Sequence, residues 1–145
     1  MGMKSFHAVV LGAVLALGGS GAAFAHHSFG AEFDQNAPVT LKGDVIKFEW
    51  VNPHSWIHID VVNPKTSQHE HWRVEGGAPS ALLRRGWDRN TLKPGTKIIV
   101  TAFRARDGDT RASAAEISFP NGQVMSLGNP QTEAAAAAAA HAKGN

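Results

Sequence analysis

Residues 56–75 read WIHIDVVNPKTSQHEHWRVE, two alternating runs around a loop-forming hexamer. In Trp56–Val62, Ile57, Ile59 and Val61 fall on one face, and Trp56, His58 and Asp60 on the other. In His69–Glu75, Trp72 and Val74 take the apolar face and leave His69, His71 and Arg73 opposite. Period-2 alternation marks half-buried strands, and Asn63-Pro64-Lys65-Thr66-Ser67-Gln68 has the composition of a turn, so the pair reads as a hairpin. Pairing Val62 with His69 sets Asp60 opposite His71 and His58 opposite Arg73, with the two histidines as diagonal neighbours on one outer face.

Working outward, residues 39–50 (VTLKGDVIKFEW) form a longer strand whose parity changes. Val39, Leu41, Gly43 and Val45 share a face, then Ile46, Phe48 and Trp50 continue on the other, which predicts a glycine bulge at Gly43-Asp44. Downstream, Pro79 to Arg85 reads as a short helix with proline in its first turn and Gly86 at its end. Residues 96–104 and 111–119 are strands joined through Asp107-Gly108, and Asn121-Gly122 turns the chain into 123–127. The expected fold is all-β with one short helix: a five-stranded OB-like barrel in the order β-β-β-α-β-β. Ile57, Ile59, Val61, Val74, Ile98, Val100 and Ile117 form its expected core.

The ends read differently. Lys4, the apolar run from Ala8 to Gly19 and Ala23-Phe24-Ala25 make an export signal cut after Ala25. The run is too short for a membrane span, so residues 1–25 are expected to be removed and the mature chain to have none. Residues 26–128 suit a single domain, and 129–145, with their alanine tract, read as a flexible tail. Without cysteine the chain has no disulfide, thiolate metal site or cysteine nucleophile. Fourteen basic against 12 acidic side chains give no nucleic-acid footprint. A small disulfide-free exported domain suits the periplasm as a monomer.

The residues His26-His27-Ser28-Phe29, Phe33, Gly43, Trp50-Val51-Asn52-Pro53-His54 and the strand Trp72 to Glu75 resemble the small exported bacterial proteins known as domain of unknown function 6152. The resemblance spans about residues 22–128 and implies export and a single domain. It implies no activity.

Chemistry therefore rests on histidine: of eight in the chain, six lie between residues 26 and 71. After cleavage, the α-amine, His26 and His27 form a nitrogen-rich chelate of the kind that favours Cu(II). His54 sits on the turn after the long strand. His58 and His71 are placed to share an ion, with Asp60 as a ligand or as the carboxylate that orients His71. The expected metal set is His26, His27, His54, His58, Asp60 and His71, for copper before zinc, in a periplasmic binding protein that is not an enzyme. Two other readings use the same residues. In one, the outer face binds an envelope protein or glycan through Trp50 and Trp56; in the other, His26 forms half of a histidine brace in a copper enzyme.

Overall fold

The computed structural model describes residues 29–143. A single turn of helix, α1 (Phe29–Glu32), leads into a 17-residue strand, β1 (Phe33–Glu49). The hairpin strands β2 (Trp56–Val62) and β3 (His69–Glu75) follow, then the short helix α2 (Pro79–Leu83). Next come β4 (Lys97–Ala105), β5 (Arg111–Ser118), β6 (Val124–Ser126) and the helix α3 (Pro130–Lys143).

The long first strand organises the fold because both its edges are used. It pairs antiparallel with β2 along one edge and with β4 along the other, and Gly43 bonds in both ladders, opposite Val61 and Ile98. A short parallel ladder between β3 and β5 (Arg73↔Arg111 to Glu75↔Ser113) closes the five strands into a ring. The same edge of β5 is free beyond that ladder, and β6 takes it, pairing Glu116–Ser118. The ring, with α2 between β3 and β4, agrees with the expected OB-like order; the sheet carries one short strand more.

The bulge in β1 lies beyond the position expected. The register slips between Val45 and Lys47, Val45 still points inward, and Ile46 is 43% exposed. The cause is the partner on the other edge. The β4 ladder runs to Asp44↔Lys97, and Val45 is still held by Thr96 and Gly95, so an extra residue fits only once that edge is released. Gly43 serves a different purpose. A Cβ there would stand 2.2 Å from the Asp60 carbonyl oxygen, so only glycine lets β1 approach β2 so closely.

Inside the ring, Ile57, Ile59, Val61, Val74, Ile98, Val100 and Ile117 are all buried, as the alternation predicts. Leu82 of α2 and Trp87 just after it are also buried in this core, and the Trp87 indole donates to the Ser126 carbonyl at 2.8 Å. Helix α2 stops at Leu83, leaving Arg84 and Arg85 on the turn that ends at Gly86, where φ is +84°.

A second, smaller core lies outside the ring. Phe29 stacks on Phe33 and meets Phe103 edge-on at 5.7 Å, with Ala105 and Ala135 packed against them. Ala135 belongs to the segment expected to be a flexible tail, which is instead the helix α3. Large apolar side chains do not hold it, which is why its composition reads as tail. Asn129 caps it through Thr132 N at 2.9 Å, the Thr132 hydroxyl is buried against Ser113, and Glu133 pairs with Arg85. Among the described residues no helix is long and apolar enough to cross a membrane.

Candidate functional site

The hairpin register is the expected one, from Val62↔His69 through Asp60↔His71 and His58↔Arg73 to Trp56↔Glu75. Its outer face carries His58 and His71 as diagonal neighbours, with His58 Nδ1 2.8 Å from His71 Nε2 and ring centroids 5.0 Å apart. His58 is nevertheless only 6% exposed. The bulge in β1 explains this, because it turns Lys47 and Glu49 onto the outer face, opposite His58 and Trp56. Without the extra residue, parity would have pointed both inward. Lys47 and Glu49 pair with each other, and Glu49 Oε1 lies 3.4 Å from His58 Nε2, which is buried with no hydrogen-bond partner.

This setting favours neutral imidazole. Burial pushes the His58 pKa below its usual value and the Lys47 charge adds to the effect, while Glu49 opposes it. A neutral ring is what a metal ligand requires. The tautomer with its proton on Nε2 points that N–H toward Glu49 and leaves the Nδ1 lone pair facing His71.

Asp60 does not take its expected place. It accepts from His69 Nδ1 at 2.8 Å rather than from His71, the residue directly opposite, and both partners are exposed. The diagonal neighbour wins because His71 is engaged with His58. The carboxylate beside the buried His58 is Glu49, which the sequence reading missed.

His54 is separate again. Ser55 is buried and ties the turn to residues 76–77: its amide and hydroxyl both donate to the Gly77 carbonyl, and the Gly76 amide donates to Ser55 O. Gly76 permits this contact, since a Cβ there would come within 2.5 Å of the Ser55 hydroxyl. The clamp lays His54 over Glu75, with Nδ1 3.5 Å from Oε1. Glu75 is only 8% exposed, and burial foremost pushes its carboxyl above the usual range; Glu32 adds to this, while His54 and Arg111 oppose it.

The expected metal set is thus divided. His58 and His71 come together, Asp60 joins His69, and His54 joins Glu75. His26 and His27 lie outside the described residues. Among the described residues no group of three or more His, Cys, Asp or Glu is placed to hold a metal ion.

Fold and site define a small, closed-ring β domain with a histidine pair half-sunk in its outer face. The chain belongs to the family of unknown function DUF6152, whose model matches residues 14–114, through the first half of β5. Neither a curated protein nor a solved structure matches it.

Proposed function

We propose that the protein is an exported, periplasmic metal-binding protein that takes copper in preference to zinc through His58 and His71, with the mature terminus completing the site. The observation that carries this reading is the 2.8 Å separation of two imidazole nitrogens beside a carboxylate. Two nitrogens each about 2.0 Å from one ion stand about 2.8–2.9 Å apart at a right angle, as in tetragonal copper, and about 3.3 Å apart in a tetrahedron. Binding requires protons on His58 Nε2 and His71 Nδ1, so that both facing nitrogens offer lone pairs. Glu49 favours that tautomer at His58, the orienting role expected of Asp60.

Two protein nitrogens leave coordination positions open, and chain connectivity supports a source for more. Phe29 lines the same cavity as Trp56 and Arg73, which flank His58 along β2 and across to β3. In the sequence, His27 stands two residues before Phe29. The α-amine that cleavage after Ala25 would create belongs to His26.

Calorimetric titration of the processed protein with Cu(II) and Zn(II), beside a form extended by one residue at its amino terminus, tests the reading. The expected result is tighter binding of copper than of zinc, weakened by the extension and by His26→Ala but not by His141→Ala. Equal copper affinity in extended and processed forms would remove the terminal pair from the site; no copper binding to either would end the reading.

A further inference from the structure

A large cavity lies beside the histidine pair. It has a volume of about 1040 Å³ and lies among α1, the 51–54 turn, the outer face of β2 and β3, α2 and the start of α3. That is at the upper end of the range for small-molecule sites. Phe29, Val51, Trp56 and Ala81 supply apolar wall.

The charges on its wall are unequal. Four guanidinium groups line it, Arg73, Arg84, Arg85 and Arg111, against two carboxyls, Glu32 and Glu75. Arg85 is committed to Glu133, and Arg111 to Asp107 and Glu32. The other two are not neutralised. Arg73 lies over the Trp56 ring at 4.8 Å, Arg84 donates to the Ser80 carbonyl, and neither pairs with a carboxylate among the described residues. At the wall sits the buried Glu75, with His54 Nδ1 3.5 Å from its Oε1.

We propose that this cavity binds a small organic anion, a carboxylate carried on an apolar body, with Arg73 and Arg84 holding the charge. A guanidinium offers a carboxylate two parallel N–H donors, and the aromatic wall takes the apolar body.

The test uses metal-free processed protein, with benzoate as probe and benzylamine and benzyl alcohol as controls, followed by tryptophan fluorescence and calorimetry. Benzoate should bind saturably at one site, at least about tenfold more tightly than either control, since a charge-assisted contact is worth about 1.5–3 kcal/mol. Arg73→Ala and Arg84→Ala, both exposed positions, should each weaken benzoate by about tenfold. Benzylamine binding as tightly as benzoate, an absence of saturable benzoate binding, or indifference to both arginine changes would overturn the proposal. Because metal is absent throughout, these outcomes are independent of copper binding.

Discussion

At one end of the β2–β3 hairpin Asp60 and His69 bond at 2.8 Å; two residues along, His58 and His71 bond at the same distance. The side chains of the first pair are 41% and 70% exposed, whereas His58 is almost wholly covered. Distance does not separate the two pairs; water does. Solvent screens the outer pair and competes for its hydrogen bond, so it contributes little. His58 has lost that competition, although His71 beside it is exposed, and the buried His58 Nε2 must be satisfied by protein or by an ion.

Both pairs share one support, so the largest effect should come from removing it. Ile59 lies between His58 and Asp60 with its side chain in the core, and Ile59→Ala should cost about 2–5 kcal/mol in denaturant unfolding, loosening both pairs together. An unaltered Cm would mean that the ring's core does not hold the hairpin.

Acid should then separate the pairs. The folded His58 pKa lies below the usual 6.5, so on acidification unfolded chains take the proton first. The stability tied to neutral His58 is fully present above pH 6.5 and is lost as pH falls through the lower folded value. Glu75 acts in the opposite sense: its folded pKa lies above the usual 4.5, so its contribution is present below 4.5 and is lost as pH rises through the folded value. In a Glu75→Gln background the loss on acidification should therefore stand clear, and His58→Gln should flatten it. An acid limb unchanged by His58→Gln would place the titration elsewhere. The smallest effect belongs to the outer pair: Asp60→Ala should change stability by no more than about 0–1 kcal/mol, and a larger loss would mean that solvent does not screen it.

What the sequence revealed, and what it hid, follows the same division. The hairpin register was legible because alternation and loop composition are local properties, and a slip of one residue would have exposed Ile57 and Ile59. The parity change in β1 was legible too, but its place was not, since that depends on where the ladder to β4 ends. Glu49 reaches His58 only because the slip falls at Ile46, and so the carboxylate of the pair was missed while Asp60, directly opposite His71, was overvalued. Glu75 stood on the outer face by parity alone; its burial comes from a turn, a guanidinium and α1, segments distant in the chain. The docking of α3 escaped notice because Thr132, Asn129 and Glu133 anchor it with polar groups, which leave no apolar stripe to read.

On the copper reading proposed above, the ion is held by His58 and His71, where one ring is buried, and not by Asp60 and His69, where both side chains are exposed. The most direct measurement is the Cu(II) affinity of processed His71→Ala protein beside processed His69→Ala protein. Removing one of two imidazole ligands should weaken binding by at least about tenfold, whereas His69→Ala should leave it unchanged. Equal affinities in the two variants, or the greater loss in His69→Ala, would contradict the account.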